Sequence, residues 1–221
     1  MNHSPQPQGM KTLFDRIMGA SAQAKAPQAD DQGFFSTQFM ERPDSVRATS
    51  AWTARALAVG AHPVPLGEAM PFLAKVWGGD HFYAALAASE RARLGEFLEF
   101  VSVPAGREVI VQDERGDYAL VVLQGVVAVD RVQPTGGRAR LAEAREGDVL
   151  GEMSLVDAGT RFASCQTLSP CLLAVVTGSA LDELAVEEPR LGMTVMASLA
   201  RSLSLRTRQL SARLGALLTA G

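Results

Sequence analysis

A carboxylate and a guanidinium, Glu152 and Arg161, stand nine positions apart in "EGDVLGEMSLVDAGTRFASC" (Glu146 to Cys165), a stretch otherwise mostly small and apolar. Gly147 and Gly151 precede the glutamate. An arginine fork offers paired donors that match a phosphate. An ionised glutamate only accepts hydrogen bonds, so it repels phosphate and suits a donor such as a sugar hydroxyl. Side by side, the two residues could hold a ribose phosphate. They could equally close the turn as an internal ion pair, and spacing alone does not separate these readings.

No other set of residues gathers chemistry. Ser154 and Ser164 have no histidine companion, and His3, His62 and His81 are scattered, so neither a nucleophile–base pair nor a metal cluster is expected. Cys165 and Cys171 lie six apart, which is neither a zinc spacing nor a CxxC pair, and they read as small buried strand residues. The expectation is a protein that is not an enzyme, with no cofactor and no metal.

The elements that must position Glu152 and Arg161 follow from periodicity. Residues 1 to 66 are rich in Ala, Gln, Pro, Ser and Gly and read as a flexible extension. Two apolar islands interrupt it, "KTLFDRIM" (Lys11 to Met18) and "GFFSTQFM" (Gly33 to Met40), which either pack locally or dock a partner. From Gly67 to about residue 101, "LGEAMPFLAKVW" and "HFYAALAASERARLGEFLEFV" read as helices, the second with Leu86, Leu94, Phe97 and Leu98 at helical spacing. Over 102–177 the period switches to two. "REVIVQDERGDYALVVLQGVVAVDRV", "ARLAEA", "FASCQTL" and "CLLAVVT" read as short antiparallel strands with turns at "ERGD", "QG" and "PTGG". That run predicts a mainly β fold with flanking α-helices, a jelly roll or sandwich. Helices return over 179–218: "ALDELAVEE" with Ser179 as N-cap, then a long helix starting at Pro189.

In this setting "GEMSLVD" fits one or two helical turns opened by Gly151 and inserted in the roll. Free backbone N–H groups at such a start favour an anion, and Arg161 on the next strand can reach the same place.

"GEMSLVDAGTRFAS" resembles the phosphate-binding cassette of the cyclic-nucleotide-binding domain family, which includes the catabolite activator protein, regulatory subunits of cyclic-AMP-dependent kinase and cyclic-nucleotide-gated channels. "VPAGREVIVQDERGDYALVVLQGVVAV" (Val103 to Val129) and "EGDVLGEM" are similar to the family's early strands and to its approach to the cassette, so the likeness runs from about Ala88 to Leu218. The resemblance implies a double-stranded β-helix roll whose ligand is a cyclic nucleotide, cyclic AMP or cyclic GMP. It implies that Glu152 accepts the ribose 2′-hydroxyl, that Arg161 pairs with the cyclic phosphate, and that the segments Leu150, Gly151, Met153, Ser154 and Phe162, Ala163 line the pocket. Leu141 sits where members place an apolar residue against the base, and Arg206 and Thr207 sit where the last helix faces it.

Thr160 replaces the family's proline, and Phe162 replaces a small residue, so its bulk could narrow the pocket or favour another ligand. Arg206 suits guanine O6 or N7 better than the amine of adenine. It also keeps a cyclic di-GMP sensor on the same fold as an alternative, beside a non-binding interaction or scaffold domain.

Partners follow from charge and ending. The formal net charge is -3, with 18 Arg and 3 Lys spread along the chain, so a basic nucleic-acid face is not expected. No basic recognition helix follows the long helix, so DNA binding is not expected and the resemblance implies a stand-alone sensor with an unidentified protein effector. No run approaches the about 18 apolar residues that span a bilayer, and "MNHSPQPQGM" is no secretory signal; a cytoplasmic location is the expectation. Met196, Leu199, Leu203, Leu210 and Leu217 step by threes and fours along the last helix, which predicts a homodimer seam or a stripe packed on the chain's own roll. If the helix lids the base, Arg206 and Thr207 would carry the signal, with the islands around Phe14 and Phe35 as responding surfaces.

Overall fold

Alternation in the strand "YALVVLQ" sorts its residues between two cores. In the computed structural model, which describes residues 49–50, 52–133 and 136–219, this strand is β6 (Tyr118–Gln124) and is buried on both faces. Ala119, Val121 and Leu123 enter a core shared with the helices. Tyr118, Leu120 and Val122 enter the core inside the roll. The next central strand, β11 (Cys171–Thr177), behaves alike: Ala174 and Val176 face the helices, and Cys171, Leu173 and Val175 face the roll. A period of two with both faces apolar marks a strand packed on each side.

The described residues lie in one folded unit, Arg47–Gly221. In chain order they form β1 (Thr49–Ser50), α1 (Trp52–Val59), β2 (His62–Pro63), α2 (Leu66–Trp77), α3 (His81–Ala84), α4 (Ala88–Glu96), β3 (Glu99–Val103), β4 (Glu108–Ile110) and β5 (Arg115–Gly116). After β6 come β7 (Val127–Val132), β8 (Arg138–Ala144), β9 (Val149–Leu150), α5 (Glu152–Asp157), β10 (Ser164–Thr167), β11, α6 (Gly178–Glu187) and α7 (Pro189–Thr219). One sheet has the order β2-β3-β11-β6-β9 and the other β4-β10-β7-β8; β1 and β5 pair separately, in parallel. The pairings inside the two larger sheets are antiparallel. This is the jelly roll with flanking helices and a long last helix that the sequence predicts.

Three local expectations differ from the structure. The single helix expected over His81 to Val101 is three elements. Asp80 caps α3 by accepting from the backbone N–H groups of Phe82 and Tyr83, α4 ends at Glu96, and residues 99–103 become strand β3, paired with β11 from Cys171↔Val103 to Val175↔Glu99. The ladder overrides helical spacing because Phe100, Val101 and Val103 are buried by it. The second difference is the cap of α6. Thr177, not Ser179, caps it: its hydroxyl accepts from Ala180 N at 3.2 Å.

The third lies in the stretch assigned to the extension, where residues 52–63 hold α1 and β2. Trp52 and Val59 are buried in the roll core, and the Trp52 indole N–H donates to Glu99 Oε2 at 2.9 Å. One buried tryptophan supplies enough apolar area to dock a helix whose composition is otherwise bland. The islands Lys11 to Met18 and Gly33 to Met40 lie outside the described residues. No described helix is long and apolar enough to cross a membrane.

Candidate functional site

Two short elements, β9 and α5, bring the carboxylate inside. Gly151 turns the chain between them with φ of 76°, a left-handed conformation that glycine takes without strain. The turn points Glu152 inward, where it is 1% exposed. Ser154 and Leu155 are buried beside it, while Met153 faces outward and is exposed.

Arg161 arrives from the other side of α5. Its backbone N–H donates to Glu114 O at 2.8 Å and its carbonyl accepts from Asp113 N at 2.9 Å, while Thr160 bridges to Arg115 of β5. These bonds fix the start of the side chain, which then runs inward and is 3% exposed. Nη1 donates to Gly151 O and to Ser154 Oγ, each at 2.8 Å, and Nη2 donates to Tyr118 O at 2.7 Å. The guanidinium lies over the Tyr118 ring, 4.4 Å from its centroid. A glycine at 116 is what makes room: a Cβ there would stand 2.1 Å from Arg161 Nε.

Glu152 does not pair with Arg161. Its partner is Arg206 of α7, whose Nη1 donates to Glu152 Oε1 at 2.5 Å and whose Nη2 donates to Val149 O at 2.8 Å. The internal ion pair that would close the turn is therefore not formed. Among the described residues, Arg161 has no carboxylate within ion-pair distance, although it is almost wholly buried. Burial pulls its pKa below the usual arginine value, yet a guanidinium stays charged at neutral pH. An unpaired buried charge is costly. Three of the five N–H groups of Arg161 have acceptors among the described residues, which leaves one on Nε and one on Nη2 for a further acceptor. On Glu152, burial pushes the carboxyl pKa up, and Arg206 pulls it back down.

The structure thus brings together Gly151, Glu152, Ser154, Arg161 and Arg206. Leu150 is buried next to them in β9, opposite Leu120, and Ala163 is buried just after the arginine. Phe162 is 53% exposed. Arg131 of β7 lies over its ring at 3.9 Å and donates to its carbonyl at 2.6 Å. Leu141 is exposed on β8. The Thr207 hydroxyl is turned back to Leu203 O of its own helix, at 2.9 Å. Arg206, expected to offer free donors to a base, has a donor committed to Glu152 and another to Val149.

Gly116 and Tyr118 belong to the site and were not singled out from sequence. "ERGD" reads as an ordinary turn, and only the position of Arg161 shows why the glycine is needed. Cys165, two residues beyond Ala163, is a free buried thiol whose pKa burial raises to about 12, so it stays protonated and unreactive at neutral pH.

Residues 100–188 match the family model described as the cyclic nucleotide-binding domain. Over 121 residues the chain is 27% identical to the CRP-like cAMP-activated global transcriptional regulator of Mycobacterium tuberculosis, covering 55% of this chain and 54% of that protein. Over 82 residues it is 30% identical to the cAMP-dependent protein kinase regulatory subunit of Mycosarcoma maydis, covering 37% and 15%. The chain thus spans about half, or less, of the length of these curated relatives. A solved cyclic nucleotide-binding domain from Methylobacillus flagellatus has a similar fold, with a TM-score of 0.65 and 25% identity over 69% of this chain and 86% of that one.

Proposed function

Residues 100–188 belong to the cyclic nucleotide-binding domain family, and from that premise we propose that the chain is a non-enzymatic cytoplasmic sensor of a cyclic nucleotide, cyclic AMP before cyclic GMP. It passes the signal to a partner protein or through rearrangement of a homodimer. The observation that carries this reading is the buried Arg161 side chain without a carboxylate partner among the described residues. A cyclic phosphate supplies the missing negative charge and can take both remaining donors of the fork. Glu152, beside it and acceptor-only, takes the ribose 2′-hydroxyl.

Two observations support cyclic AMP. The relatives from Mycobacterium tuberculosis and Mycosarcoma maydis carry cAMP in their names. Arg206, the residue that favoured guanine in the sequence, has donors engaged by Glu152 and Val149. Calorimetric titration with cyclic AMP, cyclic GMP and cyclic di-GMP tests the reading. Tightest binding of cyclic AMP is expected; no heat with any of the three would reject it.

The homodimer is assigned to the far half of α7. Leu199 of the expected seam is fully buried and Met196 packs on the same helical core, so this part of the stripe is used by the chain's own fold. Leu210, Leu214, Leu217 and Leu218 are exposed instead. They leave an apolar face on a helix that has already left the roll, and a second copy in the same orientation would cover it.

A further inference from the structure

Helix α1 and the strand before it are fastened to the floor of Arg161. Residues 113–118 make that floor. Asp113 N and Glu114 O bond the backbone of Arg161, Gly116 leaves room for the guanidine group, and the Tyr118 ring lies under it. The segment 49–55 attaches to this same strip. Thr49 and Ser50 of β1 pair with Arg115 and Gly116 of β5. The indole of Trp52 stands 5.1 Å from the Tyr118 ring, and Arg55 Nη2 donates to Glu114 Oε2.

The turn that presents Asp113 N and Glu114 O calls for outside support. Asp113 has a φ of 66°, a left-handed conformation in which a residue with a Cβ is strained. The backbone bond from Glu114 N to Val111 O is long, at 3.4 Å. Such a conformation persists where its surroundings over-determine it. Arg55 supplies part of that hold from α1. Its side chain is only 14% exposed, so the pair with Glu114 is not one of the solvent-screened kind that contributes little. The helix that carries Arg55 is itself anchored, with Trp52 and Val59 in the roll core and the Trp52 indole bonded to Glu99. Arg55 and Arg161 also share an aromatic neighbour: burial raises the Tyr118 pKa, and both cations, Arg161 before Arg55, act against the rise.

We propose that Arg55 is a positioning residue for phosphate binding: through Glu114 it holds the turn that sets the backbone of Arg161, so that the guanidinium is aimed before a ligand arrives. This rests on the reading of the site as one for a cyclic nucleotide. A donor fixed in advance binds more tightly because the ligand does not have to order it. The support comes from α1, which lies outside the residues 100–188 that match the family model.

The test titrates cyclic AMP by calorimetry into the wild-type chain, Arg55→Ala, Arg55→Lys and Glu114→Gln, the last in case the alanine variant folds poorly. Arg55→Ala is also made in an Arg161→Lys chain, which keeps a cation at 161 but loses the fork. Hydrogen exchange is measured on the ligand-free chains. Binding is expected to be about fivefold weaker in Arg55→Ala and in Glu114→Gln, within the range that residues of one network show. Arg55→Lys, still charged, should bind within about twofold of the wild type. Exchange in Arg55→Ala should quicken over residues 111–116 and 160–162 but not in β6 or β11. In the Arg161→Lys chain, Arg55→Ala should weaken binding no further. Wild-type affinity in both Arg55→Ala and Glu114→Gln, a lysine variant as weak as the alanine one, quickened exchange throughout the roll, or an equal loss in both backgrounds overturns the positioning role and leaves the site reading in place. Failure of the wild-type chain to bind cyclic AMP overturns the site reading and the positioning role with it.

Discussion

The guanidinium of Arg161 and the ring of Tyr118 lie face to ring, 4.4 Å from guanidinium carbon to centroid, and the same ring stands 5.1 Å from the indole of Trp52. A charge that sits on one aromatic ring is thus one ring removed from a tryptophan buried in the first described helix. A phosphate that draws on Arg161 changes the field and packing felt by Trp52. In a Trp77→Phe background Trp52 is the remaining tryptophan, since the chain has two. Its emission is expected to change saturably with added cyclic AMP, with the midpoint that calorimetry gives. Constant emission through a titration that releases heat would break the proposed link.

Gly116 tests the same geometry from below. A methyl group there would stand 2.1–2.2 Å from three atoms of the Arg161 guanidine group. The backbone at 116 is not left-handed, so alanine brings crowding rather than backbone strain. Gly116→Ala is expected to push the guanidinium aside and weaken cyclic nucleotide binding about tenfold or more, about 1.4 kcal/mol. The variant should keep the wild-type circular dichroism spectrum. Wild-type affinity in a folded Gly116→Ala chain would show that the placement of Arg161 does not matter.

Glu152 gives a pH dependence. Burial raises its pKa above the ordinary carboxylate value of about 4.3, with Arg206 acting against the rise. The folded chain then holds this proton more tightly than the unfolded chain, so the contribution of Glu152 to stability falls as pH rises from the ordinary value through the raised one. Glutamine at 152 cannot ionise. The melting temperature of Glu152→Gln relative to wild type should therefore climb as pH rises above the ordinary carboxylate value of about 4.3. A difference that is flat, or that declines with pH, would contradict the buried-carboxylate account.

The exposed leucines of α7 make a prediction about assembly. Leu210→Glu combined with Leu217→Glu changes residues that are 59% and 74% exposed, so the monomer fold loses almost no buried area. Light scattering at tens of micromolar should show a dimer for the wild type and a soluble monomer for the double variant. A monomeric wild type, with and without cyclic AMP, would remove the dimer from the account.

Much of this was legible in the sequence, and the exceptions have physical reasons. The central strands and the helix over Leu66–Trp77 were read from periodicity because packing enforces periodicity. Gly151, Glu152 and Arg161 were legible because donor and acceptor types within a short stretch carry their own chemistry. Strand Glu99–Val103 was read as helix because its spacing fits either element and only its partner strand decides. Helix α1 was missed because its docking rests on Trp52 and Val59, seven positions apart in a stretch of otherwise bland composition. The Glu152–Arg206 bond joins residues 54 positions apart, and nothing local announces it. Gly116 looks like any turn glycine until Arg161 is seen against it.

The central claim is that Arg161 is a buried cation held for a cyclic phosphate. Isothermal titration of cyclic AMP into the wild-type chain and into Arg161→Ala tests it most directly. Losing the charged partner of the phosphate should cost roughly 2–5 kcal/mol of binding, which is more than a tenfold loss of affinity, while the variant, relieved of a buried charge, stays folded. Equal affinity in the two chains would contradict the claim.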